Sequence, residues 1–313
     1  GGQVYVGDGA PPLAVDLAIR GDKIAFIGMA SDAKATKVID ASGLAVAPGF
    51  INMLSWSTES LIADGRSESE IRQGVTTQIF GEGQSMGPLN AAMKRSRKSQ
   101  QTVVKFSYEW NTLAEYLEWL ERRGVAQNVA SFIGAGTIRE YVMGLANRTA
   151  GASDLEQMQR LVEQEMKAGA LGIGSALVYP PGSHASAEEL IALCQVAARY
   201  QGVYISHIRN QGSQFIEAID ELIRISREAK IPAEIYHFGT AGAENWPKLD
   251  QAIERVETAR RDGLRITANM HTYTAGCTGL TACLPPWAQE GGVDALLKHL
   301  RDPAARRRIA REI

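Results

Sequence analysis

A chain of 313 residues, 45% hydrophobic and 22% charged, can bury one large core with a smaller appendage, which excludes a disordered or fibrous protein. With a net charge of −2 and basic residues scattered apart from Arg306-Arg307-Arg308, the chain has no footprint for nucleic acid, and no apolar run is long enough to span a bilayer. The three cysteines, Cys194, Cys277 and Cys283, are an odd set without CxxC spacing, so neither a disulfide framework nor a zinc knuckle is expected.

A reducing, cytoplasmic compartment is the default expectation. Because the chain opens at Gly1-Gly2-Gln3-Val4 as if inside a strand, an exported form whose signal peptide has been removed stays open.

The first 44 residues alternate apolar and polar positions between turn residues, in stretches 3–6, 14–19, 23–27 and 37–40. They read as a small antiparallel β unit. From Leu44 onward the rhythm becomes apolar strand followed by amphipathic helix, repeated, as in a parallel sheet covered by helices. The spacing predicts strands at 45–47 running on through 50–54, then 75–80, 128–133, 170–175, 203–207, 233–237 and 264–269. Gly74, Gly124, Gly169, Gly202 and Gly263 stand just before strands, where a helix ending in the left-handed conformation needs glycine.

Seven strand-helix units exceed a doubly wound sheet and fall one short of a TIM-type (β/α)₈ barrel. The expected architecture is therefore α/β: a barrel over 45–313, incomplete at about seven strands, with a small β-sandwich unit over 1–44. As the chain ends within the helical run at Ile313, an eighth strand and a returning piece of the small β unit are expected beyond it. Gly81-Glu82-Gly83, Gly134-Ala135-Gly136 and Gly172-Ile173-Gly174 do not continue as GxGxxG, and neither a GxSxG elbow nor a Walker loop occurs.

The chemistry gathers at strand ends. His207 closes the predicted strand 203–207 and His237 closes 233–237, about one strand-helix unit later, so the two imidazoles should converge at the carboxyl edge where parallel α/β folds hold their sites. Glu82 follows the strand 75–80 at the same edge. A plain surface turn explains it equally well, but a carboxylate with two imidazoles is also a common zinc set, three protein ligands leaving a place for water. His271 follows the last strand, placed to touch a substrate, and Arg209, two residues past His207, would neutralise a substrate carboxylate. His184 and His299 read as solvated.

With these residues in hand, the sequence resembles the N-acyl-D-amino-acid deacylases (D-aminoacylases) of the amidohydrolase superfamily over essentially its whole length. The resemblance is carried jointly by Ala47-Pro48-Gly49-Phe50-Ile51, Gln73-Gly74-Val75-Thr76-Thr77, Gly136-Thr137-Ile138-Arg139 with Val142-Met143-Gly144, Gly169-Ala170-Leu171-Gly172, Tyr179 with Pro181-Gly182-Ser183, Ser206-His207-Ile208-Arg209, and Leu284-Pro285-Pro286-Trp287-Ala288. It implies a (β/α)₈ barrel with a small β-sandwich and hydrolysis of the amide of an N-acyl-D-amino acid by zinc-activated water. His207 and His237 fall on the family's metal-ligand histidines, and Tyr179, Arg209 and His271 would line the pocket.

The chain also departs from the family. The HxH at the end of the first strand is Leu54-Ser55-Trp56, which removes one of two metal sites, so one Zn²⁺ is expected. The bridging cysteine falls on Gly83, which leaves Glu82 as third ligand. A lysine is replaced by Gly239, and a tyrosine-proline-tyrosine loop by His271-Thr272-Tyr273. The catalytic aspartate, the general base, is expected beyond Ile313. The partner implied is a small N-acyl amino acid, with an oligomer possible and neither nucleic acid nor membrane. A second reading, motivated by Leu54 and Trp56, is a barrel that binds a small ligand but has lost catalysis.

Overall fold

The computed structural model describes residues 1–30 and 34–312; Ile313, the last residue of the predicted barrel region, lies outside them. The N-terminal stretch forms a four-stranded sheet in the order β3-β2-β1-β4, from β1 (Gly2–Val4), β2 (Leu13–Arg20), β3 (Lys23–Gly28) and β4 (Ala45–Val46). Its hairpins are antiparallel, but β4 runs parallel to β1. The predicted strand at 37–40 is absent: its alternation is only four residues long and Val38 and Ile39 stand largely in solvent. The strand predicted from 45 to 54 is cut in two at Pro48-Gly49, because proline offers no N–H to a ladder. Its first half closes the small sheet, and its second half opens the next.

That next layer follows the expected rhythm: β5 (Phe50–Asn52), β6 (Val75–Phe80), β7 (Asn128–Ser131), β8 (Ile133–Gly134), β9 (Gly172–Ala176), β10 (Val203–His207), β11 (Ala233–Ile235) and β12 (Ile266–Ala268). Every pairing among them is parallel. The strand predicted at 128–133 changes partner at Phe132: β7 lies on β6 and β8 on β9. Phe132 N–H donates to Phe80 O at 2.8 Å and Leu171 N–H to Ser131 O at 3.0 Å, so hydrogen bonds continue through this seam. Taken with that break, the seven predicted strands stand side by side in chain order. Among the described residues no pairing joins β12 to β5, and the arc is open.

Alternation divides the apolar residues between two faces. Ile79, Phe132, Ile205 and Tyr236 pack together inside the arc with Met53 and Leu54, whereas Tyr204, Ala233 and Ile235 join the larger core beneath the helices. The helix Phe215–Ala229 buries Phe215, Ala218, Ile219, Leu222, Ile223 and Ser226 at helical spacing, and Thr112 starts Leu113–Arg123 with a reciprocal capping box to Glu115. No helix among the described residues is long and apolar enough to cross a membrane.

Two charged groups are embedded in the helix layer. Arg139, with no exposed surface, pairs with Glu189 of Ala187–Ala198 and donates to Arg148 O. Arg139→Met, which strands the buried carboxylate, should lower unfolding stability by about 3–5 kcal/mol, and pairing it with Glu189→Leu should recover most of that loss in denaturant titrations.

Glu165 accepts the Leu113 N–H at 3.0 Å through Oε2, while its Oε1 has no partner, and burial pushes its carboxyl up from 4.5 to about 7. The folded state therefore keeps a proton that the unfolded chain releases, and stability falls as the pH rises from about 4.5 to 7, by about 3 kcal/mol. Glu165→Gln keeps the acceptor without the charge. Its melting-temperature advantage over the wild type should be small near pH 4.5 and grow through pH 7; an advantage that does not change with pH would contradict this.

Candidate metal centre

Strand phase decides which side chains reach the carboxyl edge of the arc. On β10, His207 follows Ile205 by two residues and so shares its inward face. The β10–β11 register, Tyr204 opposite Ala233 and Ser206 opposite Ile235, puts Tyr236 level with His207. His237 is thus one residue beyond the position level with His207. It turns inward because its backbone leaves the strand in the left-handed region, at φ +36°. That costly conformation is held by Asn269, whose Oδ1 accepts the His237 N–H at 2.7 Å, and by the Gln211 amide, which donates to His237 O at 3.1 Å. Glu234 Oε1 fixes Asn269 in turn at 2.7 Å.

Glu82 reaches the same point by a similar device. It sits between Gly81 at φ +109° and Gly83 at φ +68°, so the chain folds back over the end of β6. A Cβ on Gly83 would lie 2.5 Å from the Ala176 Cβ and 2.8 Å from the Ala176 nitrogen, so this position takes no side chain unless β9 moves. The carboxylate comes from the residue beside it.

The three side chains converge. Glu82 Oε1 lies 2.9 Å from His207 Nδ1 and 3.2 Å from His237 Nε2, and the two ring nitrogens are 3.0 Å apart. All three side chains are about nine-tenths buried. A tetrahedral centre with bonds of about 2.0 Å spaces its ligand atoms about 3.3 Å apart, so this triangle fits one face of a zinc site after a slight opening. Among the described residues it is the only cluster of histidine, cysteine and carboxylate ligands that could hold a metal ion. Burial alone would raise the Glu82 carboxyl, but hydrogen bonds from His207, His237 and Trp56 outweigh it and hold the group at about 2. The site thus keeps a formal negative charge facing two imidazoles, which favours a cation.

The remaining predicted residues separate. The ring of Tyr179 meets His207 edge-on at 5.5 Å, and that of His271 stacks on His237 at 5.5 Å, so both wall the centre. Arg209 does not join them. Its Nε and Nη2 pair with Glu221 at 3.0 and 2.9 Å, and its other donors reach Ser183 O at 3.0 Å and Ala185 O at 2.8 Å. The guanidinium therefore ties the 183–185 turn to the helix Phe215–Ala229, already paired with a carboxylate of the fold. Leu54 lies in the interior cluster, and Trp56 donates its indole N–H to Glu82 Oε2 at 2.6 Å. Sequence reasoning missed Trp56 and Gln211, which no spacing marks; Asn269, a polar residue at the end of a strand, carried the one available signal.

No family model matches the chain. It is 34% identical over 283 residues to the D-aminoacylase of Alcaligenes xylosoxydans xylosoxydans, covering 90% of this chain and 58% of that protein. A crystal structure of D-aminoacylase, described as defining a novel subset of amidohydrolases, superposes with a TM-score of 0.80 at 32% identity over 88% of this chain and 58% of that one. The N-acyl-D-glutamate deacylase of Bordetella bronchiseptica, solved with zinc and a phosphonate mimic of the tetrahedral intermediate, gives 0.79 at 27% identity over 87% and 57%. The chain spans somewhat over half the length of these relatives. In sequence and in fold the chain is thus homologous to the D-aminoacylases and N-acyl-D-amino-acid deacylases over the part it shares with them, with an α/β fold similar to theirs.

Proposed function

We propose that this chain carries the metal centre of a zinc-dependent hydrolase that cleaves the amide bond of an N-acyl-D-amino acid. The observation that carries the reading is the convergence of Glu82, His207 and His237 within hydrogen-bond distance of one another at the carboxyl edges of the two parallel sheets. Zn²⁺ held there would supply a Lewis acid that polarises the amide carbonyl and activates water for attack. Glu82 contributes the charge that offsets the cation, and the two imidazoles complete the protein ligands. Tyr179 and His271 form the walls against which the substrate is oriented, and the burial of the three ligands keeps bulk water from competing for the cation. Arg209 acts indirectly, by fixing the turn that follows Tyr179.

The same reading takes the seven strands as part of a (β/α)₈ barrel, with a separate small β-sandwich unit that reaches past residue 44 to include β4 at Ala45–Val46. It assigns one zinc per chain, because Leu54 is packed in the apolar interior and Trp56 is a donor with no lone pair for a metal.

Metal analysis of the purified protein should find about one zinc per chain, and His237→Ala should lose it together with N-acyl-D-amino-acid hydrolysis. Glu82→Gln keeps the shape and removes the charge, so zinc affinity should fall by more than the roughly 10–100-fold that loss of an outer-shell partner costs. Unchanged metal content and turnover in Glu82→Gln would place the third ligand elsewhere. A protein that holds its zinc but leaves every N-acyl amino acid intact would be a small-ligand binder that has lost catalysis.

A further inference from the structure

The Glu82 carboxylate divides its two oxygens between different tasks. Oε1 faces His207 Nδ1 and His237 Nε2 at 2.9 and 3.2 Å, whereas Oε2 accepts the Trp56 indole N–H at 2.6 Å. An indole is only a donor; it neither ligates a cation nor competes for one. The donor is also firmly carried. Ser55, its neighbour, donates its backbone N–H to Ile79 O at 2.9 Å and its hydroxyl to Gln78 Oε1 at 2.5 Å, while Leu54 packs into the interior cluster. Both hydrogen-bonded anchors lie on β6, the strand that delivers Glu82, so donor and acceptor are referred to one strand.

We propose that Trp56 is a positioning residue of the metal centre: by holding Glu82 Oε2 it leaves a single carboxylate oxygen, Oε1, to the cation and restricts the centre to one divalent ion. The proposal rests on the metal reading above and adds what sets its ion count. A free carboxylate turns about its terminal torsion, and it binds a cation end-on, side-on, or between two ions through both oxygens. With Oε2 in a short, charge-assisted hydrogen bond, the last two modes require that bond to break. No further carboxylate, histidine or cysteine among the described residues joins the triangle, so the carboxylate atom it could offer a second ion is Oε2.

Trp56 is 58% exposed, so Trp56→Phe keeps the ring and the fold while removing the N–H. Two readouts apply: zinc affinity by equilibrium dialysis against a competing chelator, and the visible absorption of the Co²⁺-loaded protein. The wild type should take one ion per chain. In Trp56→Phe, zinc affinity should fall roughly 10–100-fold, as for loss of an outer-shell partner, and Co²⁺ absorption should weaken as the released carboxylate swings side-on and raises the coordination number. In a Glu82→Gln background the same substitution should add nothing further. Wild-type affinity with an unchanged Co²⁺ spectrum in Trp56→Phe, or a loss that adds in full to that of Glu82→Gln, overturns the role of Trp56 and leaves the metal reading standing. A wild type that takes up no zinc overturns both.

Discussion

A buried carboxylate with two imidazole nitrogens about 3 Å from one of its oxygens is the constraint on which the rest of this structure turns. Three polar side chains drawn this close at the edge of an apolar interior are stable only if their backbones are aimed before any partner arrives, since ordering them afterwards costs side-chain entropy. The chain aims them by leaving regular structure at the right residue. His207 ends a strand in phase, His237 is turned in by a left-handed backbone that Asn269 and Gln211 hold, and Glu82 is folded back between two glycines.

Much of this was legible in the sequence, because strand-helix alternation is a long-range pattern repeated many times. The seven parallel strands and the pairing of the two histidines follow from it directly. The failures occur where one residue decides the outcome. Pro48 splits the first strand between two sheets, Phe132 marks a change of partner within another, and the stretch at 37–40 is too short for alternation to mean anything. The two histidines do converge, but the register places Tyr236 beside His207, so His237 reaches the site through its left-handed backbone, which strand spacing does not reveal.

Side-chain destinations were harder to read than positions. Arg209 lies at the correct edge and still serves the fold, because Glu221 and two turn carbonyls take four of its five donors. Trp56, which looked like the mere loss of a ligand, gives Glu82 its shortest hydrogen bond. Such partnerships join residues far apart in sequence and leave no local signature. The glycine at position 83 is explained by its left-handed backbone together with the close approach of Ala176, neither of which is visible in the sequence.

The seam at Phe132 gives the ligand set a mechanical meaning. Glu82 extends from β6, in the three-stranded sheet, whereas His207 and His237 extend from β10 and β11, in the five-stranded one. The triangle is therefore a brace thrown across the joint between two sheets, and the alignment of those sheets is written directly into the distances among its three atoms.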